Sequence, residues 1–261
     1  MNKFKLFFVF LITSFCFAQN ATDKGVVLYI QIESPHIGGK NGPAEKSSLV
    51  FNKLESSYAT RKDSLNNLIA PESKDSYENK DGSVVVMNMG NLMSYKHGFQ
   101  VYTSLKKDTV WSSWSWDKFA YVKEKKATIN WKLLAETKKI GNFECHKAKA
   151  FFRGREYTAW YTNEIPVPFG PWKLQGLPGL ILEAYDTDEK FYFCMRKLEY
   201  PTQNPTPISK IMLEAGKKWF TVKEYFDWCD NNLLKVYEKG ILLGVDMVKD
   251  SKEDLFKEFM E

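Results

Sequence analysis

Histidine is nearly absent: the chain of 261 residues holds three, at His36, His97 and His146. General-base chemistry and metal sites that lean on clustered histidines have little to draw on. His146 follows Cys145, but neighbouring strand residues point to opposite faces, so the two cannot form a nucleophile–base pair directly. Also missing are a G-x-S-x-G elbow, an H-E-x-x-H helix, a phosphate loop and a dinucleotide-binding glycine pattern. Asp and Glu are numerous but interleaved with Lys, the arrangement of a solvated surface. An enzyme, for which a hydrolase is the natural class, would have to assemble its catalytic groups from distant parts of the sequence. Nothing in the chain calls for a cofactor.

Cysteine is also scarce, with four residues, too few for a disulfide scaffold in a chain this long. No apolar run is long enough to span a bilayer as a helix. The longest, Leu6 to Phe15, is interrupted only by Thr13 and Ser14, and it follows the cationic start of Lys3 and Lys5. Cys16-Phe17-Ala18 then supplies the small-x-small pattern of a signal-peptidase site, so residues 1–18 read as an export leader cleaved before Gln19. Cys16 invites a lipoprotein reading, against which stands bulky Phe15 where a small residue is needed. The formal charge of +5 drops to +3 with the leader, since Lys3 and Lys5 leave without any acid. So small a charge excludes a nucleic-acid footprint.

What the chain does have is apolar and aromatic mass: 44% hydrophobic and 15% aromatic residues, the composition of a globular protein. Residues 19–261 can bury one core without a second domain. Short β-branched runs separated by turn residues recur: 25–33, 49–58, 83–89, 98–104, 109–121, 127–134, 139–152, 155–162, 180–186 and 191–200. The polar stretch up to Asp81 reads as a long loop. Tight turns between successive strands favour an antiparallel meander. Pro201, Pro205 and Pro207 end the sheet. Thr221 with Glu224 then forms a capping box for a helix from about residue 221, and Ser251 with Asp254 opens a second. The expected fold is α+β: a mostly antiparallel sheet, a curved meander or half-barrel, with C-terminal helices.

The stretch 163–179 (NEIPVPFGPWKLQGLPG) carries four prolines and three glycines and cannot extend a strand. Its apolar side chains, Phe169, Trp172, Leu174 and Leu177, either cap the core or form a partner- or ligand-binding surface. Pro178-Gly179 has the composition of a type II turn, with positive φ expected at Gly179. Met87, Met89, Met93 and His97 would suit soft copper chemistry, or the methionines simply fill a core. Trp114 and Trp116 share one strand face and Trp111 takes the other, so a platform for sugar stacking holds two rings, or the rings are again core mass. Cys145 alternates with Lys147 and Lys149, and Cys194 with Tyr192 and Arg196. Both would then sit on polar strand faces, where a Cys145–Cys194 disulfide is conceivable in an oxidising compartment.

Residues 176–181 spell GLPGLI. With Ile129-Asn130-Trp131, Ile140-Gly141-Asn142-Phe143-Glu144-Cys145, Gly154-Arg155, Ala159-Trp160-Tyr161-Thr162, Ile165-Pro166, Gly170-Pro171, Glu183 and Asp186, this ordered series resembles the GLPGLI family of exported bacterial proteins. The resemblance implies a protein of the Gram-negative envelope, often encoded near TonB-dependent outer-membrane receptors. It implies no catalytic residues. Within those segments an Arg155–Glu183 ion pair bracing the loop is expected. The functional expectation is a non-enzymatic binding or accessory protein, periplasmic or secreted, with such a receptor as its candidate partner. A carrier of a small apolar ligand held in the curve of the sheet is the other non-enzymatic alternative.

Overall fold

The computed structural model describes residues 23–33, 44–60, 74–78, 84–88, 99–115, 119–228 and 231. Its strands are β1 (Gly25–Glu33), β2 (Ala44–Phe51), β3 (Glu55–Thr60), β4 (Lys74–Glu78), β5 (Val84–Asn88), β6 (Gln100–Ser104) and β7 (Thr109–Ser115). They continue as β8 (Phe119–Lys125), β9 (Lys132–Ile140), β10 (Phe143–Phe152), β11 (Arg155–Thr162), β12 (Leu180–Asp186), β13 (Phe191–Glu199) and β14 (Trp219–Phe220). Twelve of these form one open sheet in the order β14-β8-β7-β6-β3-β2-β1-β13-β12-β11-β10-β9, while β4 pairs with β5 separately. Every pairing in the large sheet is antiparallel except β14 with β8.

Two meanders therefore meet where β1 pairs with β13. Several boundaries differ from the sequence expectation. The run 49–58 is two strands, because the Asn52 side chain accepts from the backbone N–H of Leu54 and Glu55 and turns the chain. The polar stretch before Asp81 contains β4. The segment 139–152 holds a hairpin at Gly141-Asn142 and joins β9 to β10. At the next hairpin Arg153 and Gly154 both have positive φ, 49° and 74°, the handedness that matches strand twist.

The sheet must curl strongly. From β8 to β10 there are nine interstrand steps, about 43 Å if the sheet were flat. Yet Glu124 on β8 is ion-paired with Arg153, which follows β10. Within the curl, Val27, Leu49, Phe51, Tyr58, Val101 and Val110 share one cluster with Ala148, Phe152, Ala159, Leu182 and Phe193. The sheet's other face is partly covered by an irregular strap, 201–218, that leaves β13 and crosses towards β8. Thr202 N–H donates to Lys24 O at 2.9 Å, and Trp219 packs edge-on against Tyr121 at 5.7 Å.

One short helix follows, α1, described at 222–228. Its capping box is formed: Thr221 N–H donates to Glu224 Oε2 at 2.7 Å, and Glu224 N–H donates to Thr221 Oγ1 at 3.2 Å. Tyr225 buries its ring with Ala120 and Val122 of β8. C-terminal helices in the plural are not supported; the segment from Ser251 lies outside the described residues.

Candidate functional site

The proline-rich stretch is built into the core. Phe169, Leu174 and Leu177 are almost wholly buried and Trp172 is 8% exposed, its ring against Phe152 and Tyr157. These four side chains thus present no open apolar surface; of the stretch's expected binding residues only Pro178 is exposed. The GLPGLI run stitches this lid to the sheet. Leu180 N–H donates to Ile165 O and Ile181 N–H to Phe169 O, both at 3.0 Å, while the Tyr29 hydroxyl donates to Ile181 O at 2.6 Å. The positive φ falls on Gly176, at 93°, and not on Gly179. Gly179 is needed for another reason: a Cβ there would lie 2.0 Å from Thr162 O.

Beneath the lid sits a buried ionic cluster that the sequence did not reveal. Glu124 accepts from both Arg153 and Lys173, whose side chains are 4% and 3% exposed. Burial alone would raise the Glu124 carboxyl; Lys173 and Arg153 outweigh it and hold the carboxyl below its ordinary range. Arg153 also lies over the Phe152 and Trp172 rings, at 5.2 and 5.8 Å. Arg155 pairs with Asp186 at 3.1 Å, and Glu183 instead takes Lys138 at 2.8 Å. Strand register explains this correction: Glu183 stands opposite Trp160, well along β11 from Arg155.

A concave feature lies on the face away from this core. Val101 and Val110 point inward, so their neighbours Tyr102 and Trp111 point out, paired across β6 and β7 with ring centroids 5.6 Å apart. Strap residues Lys210, Ile211 and Met212, the β2–β3 turn with Asn52, Leu54 and Glu55, and the β6–β7 turn with Lys106 and Lys107 wall in a groove of about 540 Å³ over those rings. The Lys210 ammonium stands 6.0 Å above the Tyr102 ring. The Tyr102 hydroxyl donates to the Glu55 carboxylate, and burial, followed by this hydrogen bond, pushes its pKa up to about 12. Tyr102 therefore stays protonated and keeps Glu55 occupied.

Comparison with known proteins adds a local family match and a likeness of fold. The model of a family described as "Protein of unknown function (Porph_ging)" matches residues 153–183. The match is short and local. It runs from the Arg153 hairpin through Trp172, Lys173 and the GLPGLI run to Glu183, so the lid and two members of the ionic cluster fall inside it. No curated protein matches the chain. A solved structure titled "Structure of PNGF-II in P21 space group" is similar over 78% of this chain and 32% of that one, with 14% identity and a TM-score of 0.50. Another, "Structure of PNGF-II in C2 space group", is similar over 76% and 30%, with 15% identity and a TM-score of 0.45. The chain thus spans about a third of the length of the solved chains it resembles. At this identity the likeness shows the fold alone.

The remaining expected sites are not brought together. Cys145 and Cys194 are both free thiols. Two strands, β11 and β12, lie between theirs, and Cys145 is wholly buried in the core cluster with Ala148, beside an irregularity where β9 spans four residues against two of β10. Strict alternation with Lys147 had placed it on the opposite face. Met87 lies on β5 opposite Asp75, while Met89, Met93 and His97 lie outside the described residues. Among the described residues no three His, Cys, Asp or Glu side chains converge as a metal site would need. Trp111 lines the groove; Trp116 is outside the described residues. Nor is any helix among the described residues long and apolar enough to cross a membrane.

Proposed function

We propose that this chain is a non-enzymatic binding protein of the cell envelope and that its ligand occupies the groove beneath the strap. The observation carrying this reading is the groove itself: two aromatic rings for a floor, with apolar and cationic walls drawn from three separate parts of the chain. A cleft of a few hundred cubic ångströms lined by aromatic and aliphatic side chains with a few polar groups is the usual form of a small-ligand site. The alternative of a carrier with its cargo in the curve of the sheet is less well supported, because packed side chains and the lid fill that curve. A hydrolase is disfavoured by the ionic cluster's burial, which keeps Glu124 away from substrate.

Export and partnership belong to the same proposal. Mass spectrometry of the protein from its native host is expected to show an N-terminus at Gln19. The association with a TonB-dependent receptor rests on the GLPGLI resemblance, and co-purification from native envelopes tests it. For the groove, organic extracts of protein purified from the host are compared between the wild type and Trp111→Ala. A small molecule present in the first and depleted in the second supports the reading; identical extracts end it.

A further inference from the structure

We propose that the groove takes a monomeric acidic amphiphile, its apolar body on Trp111, Ile211 and Met212 and its acid group at Lys106, Lys107 and Lys210. This rests on the binding reading above and adds the ligand's chemical class. Charge is the first argument. Three lysines stand in the groove's wall against a single carboxylate, Glu55, which already accepts the Tyr102 hydroxyl. None of the three has a carboxylate partner among the described residues, whereas Lys125, next along β8 from the ionic cluster, has Asp108. An anionic group entering between them would meet uncompensated positive charge.

Apolar exposure is the second argument, and it is independent of the first. Of seven exposed large hydrophobic side chains among the described residues, two line this groove, Leu54 and Met212, and two more, Leu105 and Leu213, directly neighbour lining residues in the chain. Leu105 N–H donates to Leu54 O at 2.8 Å, which holds the two turns side by side. Met212 is 79% exposed, on a strap that could have turned it inward. Exposed apolar side chains scattered singly carry no message, but a group at the rim of a groove marks what the groove binds. A fully polar ligand would leave these side chains in water. A neutral hydrocarbon would leave the lysines unused. An acid with an apolar tail satisfies both, and the lysine stems can lie along the tail while their ammonium groups meet the acid.

Titration calorimetry with decanoate below its micelle concentration and decanol below its aqueous solubility tests this. The wild type is expected to bind decanoate about 10-fold or more tighter than decanol, as three nearby charges can supply. The triple variant Lys106→Gln/Lys107→Gln/Lys210→Gln should erase that preference with its melting temperature unchanged. Met212→Ser, at a site exposed enough not to disturb folding, should weaken both ligands. Equal binding of acid and alcohol, unaffected by the triple variant, overturns the acidic class but leaves the groove reading in place. Binding indifferent to both Met212→Ser and Trp111→Ala, or no saturable binding of either ligand, removes the groove reading as well. Sedimentation with phosphatidylglycerol vesicles but no uptake of decanoate would replace the pocket with a membrane-facing patch and overturn the proposal.

Discussion

Gly179 illustrates how a residue can be required for a reason other than the one its neighbours advertise. Pro-Gly has the composition of a turn demanding positive φ, but the structure needs Gly179 because the Thr162 carbonyl approaches where a side chain would begin. A backbone carbonyl cannot rotate away as a side chain can. Gly179→Ala is therefore expected to cost about 1–3 kcal/mol in denaturant unfolding, as overpacking does. Cysteine reactivity is a second test at this scale. Burial pushes the Cys145 thiol up to about 11, and its Sγ lies inside the core. In the folded protein without reductant, iodoacetamide should label Cys194 and spare Cys145 until denaturant is added. Failure of both to label in denaturant before reduction would revive a disulfide.

Among elements, the proline-rich lid has the clearest structural consequence. Prolines deny it a place in the sheet, and its apolar side chains then have nowhere to go but onto the exposed core within the curl. Trp172→Ala and Leu177→Ala should each cost about 2–5 kcal/mol, the range for emptying a buried large side chain, visible as a large fall in melting temperature. Variants that melted like the wild type would show that the lid does not seal the core. The strap is its counterpart on the other face, held at its ends by Thr202 and Trp219 and bearing Lys210 to Met212 between them.

For the whole molecule, the contact that most constrains shape is Glu124 with Arg153 and Lys173, which joins strands nine steps apart in the sheet. Glu124→Gln leaves two buried cations without their carboxylate and is expected to cost about 3–5 kcal/mol at neutral pH. The pH dependence follows from the carboxyl's depressed folded value. Its stabilising contribution is complete above the ordinary carboxylate range and is lost as pH falls through the lower folded value. Chemical denaturation of the wild type and Glu124→Gln between pH 7 and 3 should show their difference shrinking with acid. A constant difference would mean that the ion pairs do not carry the effect.

Much of the strand content was legible because alternating β-branched and aromatic residues report a half-buried strand locally, and Thr221 with Glu224 reported a helix start for the same reason. The lid's irregularity was likewise written in its prolines. Faces and partners were not. Cys145 lies in the core although its neighbours Lys147 and Lys149 do not, close to where β9 spans four residues against two of β10, and no composition signals such an irregularity. Pairing of β1 with β13 brings together strands more than 150 residues apart, and the curl then brings Glu124 to Arg153. The groove draws Glu55, the Tyr102–Trp111 pair and Lys210 from three regions that are each unremarkable alone. The sequence by itself determined that the chain would form an antiparallel β protein interrupted by a rigid proline-rich stretch, because those preferences are local. Only the tertiary structure decided which face each side chain occupies and where charge and aromatic surface converge, because strand register and sheet curvature are set by contacts across the whole chain.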